Sequence, residues 1–235
     1  MNAPHSPARR IALFAMLTAL SLVLGWVDRA VPLSALLGGG IPGIKLGLAN
    51  TVLLYGVYML PWQGCLLLML AKVGLSGFLF GSLTAMLYSL AGGVLSLSVM
   101  LAVRRRPDVG ALGAAVLSVA CAAALLRRNP TPQGQLLWCL ILMLLACIGA
   151  LAVFILLRRK HAAAVVGTSL AGAVSHNVGQ ILVAAAVLQT PRLLLTYLPI
   201  LIGIGAAVGC LTGIAADRVF HALRISSPAN ACQNE

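Results

Sequence analysis

Residues 164–188 read AVVGTSLAGAVSHNVGQILVAAAVL, an uninterrupted stretch without a charged side chain. A helix rises about 1.5 Å per residue and the hydrocarbon core of a bilayer is about 30 Å thick, so roughly 20 such residues cross it. In lipid a spanning segment must satisfy its own backbone N–H and C=O groups, which makes an apolar run of this length a helix. Working outward, the charges and the Pro/Gly breaks divide the chain into eight such segments: 11–27, 46–60, 64–80, 83–103, 109–126, 135–157, 164–188 and 193–216. The segment 46–60 is short and reads as tilted or partly re-entrant, 109–126 is marginal in length, and Pro61-Trp62-Gln63 is a tight turn carrying an interfacial aromatic. The chain is therefore expected to be all-α, a polytopic transmembrane helical bundle of about eight spans forming a single membrane domain over 1–235.

Composition agrees. Hydrophobic residues make up 61% of the chain and charged residues 9%, outside the profile of a soluble domain. The net charge of +12 does not indicate nucleic acid, because Lys and Arg stand in short clusters between apolar runs, as loop anchors do. Cys65, Cys121, Cys139, Cys147, Cys210 and Cys232 show no C-x-x-C spacing, and all but the last fall inside apolar runs, so they read as buried thiols. Arg9 and Arg10 precede the run 11–24, but no small-x-small site follows it, so the run is expected to be a retained first span.

Arg104-Arg105-Arg106 and Arg158-Arg159-Lys160 should share the cytoplasmic side, which requires an even number of spans between them. With 135–157 as one, 109–126 becomes the other, and both termini are expected to be cytoplasmic. Small residues recur at four-residue spacing in Gly43/Gly47, Gly77/Gly81, Ala171/Ser175/Gly179 and Gly205/Gly209/Gly213, giving smooth faces for helix packing. A faint internal echo relates 89–94 to 169–174, on segments expected to run in opposite directions.

Polar side chains inside apolar spans are costly unless they face a partner or a cavity. They are Lys45, Asn50, Lys72, His176, Asn177 and Gln180. Lys45 follows Gly38-Gly39-Gly40-Ile41-Pro42-Gly43 and opens a helix, where free N–H groups and the positive dipole end suit a carboxylate or phosphate; a snorkelling interfacial lysine is the structural alternative. Lys72 sits mid-run with no carboxylate in any span interior, since the acids are Asp28, Asp108, Asp217 and Glu235. Its charge is expected to await an anionic ligand or to pair with Asp28 or Asp217 near a span end. His176 and Gln180 lie one turn apart on one helix face, with Asn177 adjacent; they form a neutral polar pocket, or else hydrogen bonds that only fix packing.

The absences point away from catalysis. There is no G-x-x-x-x-G-K-S/T loop for ATP, and no Asp-Asp-x-x-Asp cluster for the magnesium–diphosphate chemistry of prenyl elongation. A lone histidine without nearby Cys, Asp or Glu does not hold a metal, and no cofactor is expected.

The stretches Ile41-Pro42-Gly43-Ile44-Lys45-Leu46-Gly47-Leu48-Ala49-Asn50, Ser76-Gly77-Phe78-Leu79-Phe80-Gly81-Ser82, Ser89-Leu90-Ala91-Gly92-Gly93 and 171–180, ending His176-Asn177-Val178-Gly179-Gln180, resemble the Gx transporter family, also labelled heptaprenyl diphosphate synthase component I. The resemblance covers roughly 11–103 and 162–217, and against it 107–160 reads as an inserted helical hairpin on a six-span core. That family is similar in hydropathy and helix count to the substrate-binding S components of energy-coupling factor transporters. These dock on a coupling subunit through small residues of the first helix, which Ala15 and Ala19 would match here.

Two functions are consistent with these residues. One is a transporter or S-component-like binding subunit of a bacterial inner membrane for an anionic or amphipathic substrate, working with a coupling subunit and its ATPases. The other is a non-catalytic membrane subunit of a polyprenyl diphosphate synthase, beside a soluble prenyl transferase, or of a quinone- or flavin-linked redox assembly. A purely structural anchor would leave the intramembrane polar residues unexplained.

Overall fold

The computed structural model describes residues 7–30, 47–80, 83–105, 160–190 and 192–222. Among them the backbone forms α-helices and no strand: α1 (Pro7–Ala30), α2 (Asn50–Met59), α3 (Trp62–Phe80), α4 (Leu83–Arg105), α5 (Lys160–Val187) and α6 (Arg192–Ala222). All but α2 are long and apolar enough to cross a membrane, and the chain is a polytopic helical membrane protein. The segments 109–126 and 135–157, and with them the 107–160 hairpin up to residue 159, lie outside the described residues.

Burial is distributed as lipid requires. Ile11, Val23 and Trp26 of α1, Leu67 and Phe78 of α3 and Leu211 of α6 are exposed on the outside, while Ser96, Thr168, Asn177 and Gln180 are buried within. Trp62, at the start of α3, is likewise exposed, as an interfacial aromatic should be.

Helix α5 is the centre of the bundle, packed between α4 and α6 and antiparallel to both. The approach is close because glycines replace side chains at the crossings. A Cβ at Gly179 would lie 2.8 Å from Gly92 Cα, and one at Gly209 2.8 Å from Leu170 Cα. The small-residue face of α6 read from the sequence is thus a helix contact, with Gly205, Gly209 and Gly213 all turned to α5, and Gly179 of α5 meets Gly92; Gly43 and Gly81 lie outside the described residues. Gln189, at φ 49°, closes the α5 terminus, with Thr190 N–H bonded to Ala185 C=O at 3.1 Å.

Helix α2 departs from a simple span. Its 10 residues cover about 15 Å, half the hydrocarbon thickness. It runs antiparallel to α3, since Gly56 meets Leu68 while Ala49 and Ser76 both approach Gly25 of α1. Within 46–60 the described helix therefore starts only at Asn50, among buried residues and against Asp28, and ends at Leu60-Pro61. The apolar sequence disguised this because Leu46 and Leu48 continue the hydrophobic run across the start, while Gly47 at φ +85° and the turn over Leu48-Ala49 break the helix there.

The end of the bundle where α2 stops is tied together by polar and aromatic contacts. Arg104 Nη1 of α4 donates to Val57 O, and its guanidinium lies 5.8 Å from the centre of the Tyr58 ring. Tyr58 Oη donates its one proton to Thr168 Oγ1 of α5 (3.0 Å), which in turn donates to Ala164 O (2.8 Å), itself 3.3 Å from Tyr58 Oη. Phe220 of α6 packs at 5.3 Å against both Tyr55 and Tyr58. The last turn of α4 and the first turns of α5 therefore lie at one end of the molecule. The chain leaves at Arg105 and returns at Lys160 on the same side.

A polar seam in the middle of the bundle

The interior start of α2 is held from α1. Leu48 N–H donates to Asp28 Oδ1 (3.1 Å) and Ala49 N–H to Asp28 Oδ2 (3.2 Å), so one carboxylate takes two of the amides that a helix N-terminus leaves over. Asp28 is 2% exposed. The described helix begins at Asn50, beside a carboxylate that the chain itself supplies. Lys45 lies outside the described residues.

Asn50 opens α2 and reaches α4, where its Nδ2 donates to Ser96 Oγ (2.8 Å); Ser96 in turn donates to Gly172 O of α5 at 2.8 Å. One turn further along α5, His176 borders both Gly47 and Gly92. A Cβ at Gly47 would lie 3.4 Å from its Cδ2, and one at Gly92 would collide with its ring and its backbone carbonyl. His176 Nε2 and Gln180 Nε2 are 3.0 Å apart and joined by a hydrogen bond. Asn50, His176 and Gln180 therefore border one seam between α2, α4 and α5, all buried.

Asn177 is not part of that seam. One residue along a helix turns the side chain by about 100°, and Asn177 faces α6, where Nδ2 donates to Leu201 O at 2.7 Å beside Gly205. Lys72 is 6% exposed on α3, one turn before Ser76, at the depth of the first turn of α2. It is engaged within the chain, so its burial does not by itself require an anion. Ala15 and Ala19 both lie on the exposed face of α1.

Sequence reasoning did not single out Ser96, Gly92 or the capping role of Asp28. Asp28 carried a signal, as the sole carboxylate before Asp108 standing just ahead of the glycine-rich loop. Ser96 carried none, since it is one of several serines in α4.

The family model described as heptaprenyl diphosphate synthase component I matches residues 17–128 and 130–219. The chain belongs to this family. Within the synthase, component I is the non-catalytic member. The matched residues contain Asp28, Lys45, Asn50, Lys72, His176, Asn177 and Gln180, and they also run through most of 107–160; Ala15 falls just before them and Ala19 inside. No curated protein and no solved structure matches the chain.

The seam, and the α5–α6 contact beside it, contain more hydrogen-bonding capacity than the chain uses. Asn50 Oδ1, Asn177 Oδ1 and Gln180 Oε1 are buried and accept no hydrogen bond. Buried polar atoms in folded proteins are nearly always paired, because desolvating one without a partner costs about 1–3 kcal/mol.

Proposed function

We propose that this component I is a membrane subunit that binds a small amphipathic molecule, its polar part in the seam between α2, α4 and α5 and its apolar part along the lipid-facing helices. The observation that carries the reading is the set of buried, unpartnered carboxamide oxygens beside a helix that starts inside the bundle. Helices broken in the membrane interior are a recurrent way to build substrate sites in transporters. Asn50, His176 and Gln180 would hold the polar group, Lys72 and Lys45 an acidic one, and Asn177 the α6 wall behind them. The exposed Ala15/Ala19 face of α1 suits close approach of a coupling subunit, as in S components of energy-coupling factor transporters.

The family description favours a second reading, in which the bound molecule is a polyprenyl diphosphate presented to a soluble prenyl transferase. Mass spectrometry of what co-purifies with the chain separates the two. A transferase with prenyl diphosphates supports the synthase subunit, whereas ATPases and a coupling protein with an unrelated small molecule support transport. A chain that retains no small molecule at all under either condition would end both.

Replacing Lys72 tests the acidic half of the site. Lys72→Met is expected to leave accumulation in the membrane within about twofold and to lower the co-purified ligand per protein roughly 30-fold, the value of one charge-assisted hydrogen bond. Lys72→Arg should fall between, since a planar fork does not replace a compact ammonium. Loss of accumulation with unchanged ligand per folded molecule would make Lys72 a structural residue.

The orientation proposed puts the Arg104 end in the cytoplasm of a bacterial inner membrane, with both termini there. Arg104 and Arg218 gather at that end of the bundle, near the α2 terminus and Phe220 respectively, as the positive-inside rule prefers. Alkaline phosphatase fused after Arg106 or Lys160 is expected to be inactive, and a fusion after Thr190 active. The reverse pattern would invert the protein.

A further inference from the structure

We infer that the group bound beside Asn50 is a hydrogen-bond donor, a hydroxyl, amide N–H or ammonium, and not an oxyanion. This rests on the reading of the seam as a binding site and narrows what can occupy it.

The argument is one of proton counting. Ser96 has a single hydroxyl proton and gives it to the Gly172 carbonyl at 2.8 Å, so towards Asn50 its oxygen can only accept. The Asn50 amide is therefore fixed with Nδ2 on Ser96, at 2.8 Å, and Oδ1 is the end that remains, in a side chain 3% exposed. The same logic fixes Asn177, because the Leu201 carbonyl it meets cannot donate; its Oδ1 is again the end without a partner. Gln180, 1% exposed, spends one end of its amide on His176 Nε2, and in the arrangement seen the other end is Oε1.

At Asn50 the surplus is thus an acceptor; in the seam beside it, Gln180 Nε2 donates to His176 Nε2, which makes His176 Nδ1 the protonated ring nitrogen, on the Gly92 side. The nearest backbone donors, Leu48 and Ala49 N–H, are already held by Asp28. An incoming carboxylate or phosphate at Asn50 would set oxygen against oxygen, next to a helix terminus whose anion site is filled. A hydroxyl or ammonium would complete the Asn50 amide without moving any other partner.

The test uses the full chain in lipid nanodiscs and a head-group series on one tail: dodecylamine, 1-dodecanol, dodecanoate and dodecyl phosphate at equal mole fraction. A ligand at a hundred times its Kd is expected to raise Tm by about 5–10 °C in a chain of this size. The amine and the alcohol should produce that shift and Asn50→Leu should abolish it, whereas any shift that the two anions give through Lys72 should be unchanged in Asn50→Leu. Asn50→Asp, which keeps an acceptor and adds charge, should enlarge the amine's shift, and this arm decides the question if the leucine variant does not fold. Anions stabilising the protein in an Asn50-dependent way at least as strongly as the amine would overturn the donor inference while leaving the seam as a binding site. No shift from any probe, or amine and alcohol shifts unchanged in Asn50→Leu, would mean that the amide oxygens are met by water alone, and both readings would fall.

Discussion

Asp28→Ala is expected to prevent the bundle from holding α2 in place. The carboxylate accepts from Leu48 and Ala49 N–H where water cannot replace it, and Asp28 itself is 2% exposed. Two charge-assisted hydrogen bonds are lost and two interior amides are left without acceptors, together about 3–6 kcal/mol. That approaches the whole stability of an ordinary domain. The expected outcome is a severalfold drop in membrane accumulation and, for what remains, a fall in Tm of about 10 °C or more. Asp28→Asn retains one acceptor oxygen and should lose roughly half as much. An Asp28→Ala protein with the wild-type melting curve would show that the α2 start is held by something other than this cap.

The second large effect is expected at Gly209. A Cβ there would lie 2.8 Å from Leu170 Cα, 3.1 Å from Ala173 Cβ and 3.2 Å from Ser169 O, and the first and last of these are backbone atoms that cannot swing aside. Helices α5 and α6 would have to separate along an interface that also contains Gly205 against Asn177 and Gly213 against Val166. Gly209→Ala should cost about 1–3 kcal/mol, the usual range for overpacking, and Gly209→Leu should abolish stable accumulation. Gly74→Ala is the control, because a Cβ there meets nothing within 4 Å and alanine is the better helix former. Equal melting temperatures for Gly209→Ala and Gly74→Ala would remove the packing argument.

How much of this was legible in the sequence depends on the distance over which the information acts. The long apolar helices α1, α3, α4, α5 and α6 could be read directly, because hydropathy over about 20 residues is a local property. So could the common side of the segments after Arg105 and before Lys160, because charge clusters constrain parity. The shortness of 46–60 could be read as well, but the start of α2 at Asn50 could not, since a positive φ at Gly47 leaves the hydrophobic pattern of 46–60 unbroken. The Asp28 cap joins residues 20 and 21 positions apart in the chain, and nothing local announces it. The polar residues of α5 were found as a group, but their separation into an α4-facing pair and an α6-facing Asn177 follows from the angular spacing of a helix together with knowledge of which neighbour lies where.

The central position of α5 also bears on how the protein is made. The partners that α5 supplies, the Gly172 carbonyl for Ser96, the Thr168 hydroxyl for Tyr58, and the His176 surface for Gly92, all follow the long segment 106–159 in the order of synthesis. A ribosome adding about 5–20 residues per second needs several seconds to reach them. Until then Asn50 and Ser96 have each other, but the acceptors of Ser96 and Tyr58 and the cover of the Gly92 face are still to come. The packing of the first four helices is therefore completed by residues made well after them, when α5 and α6 arrive.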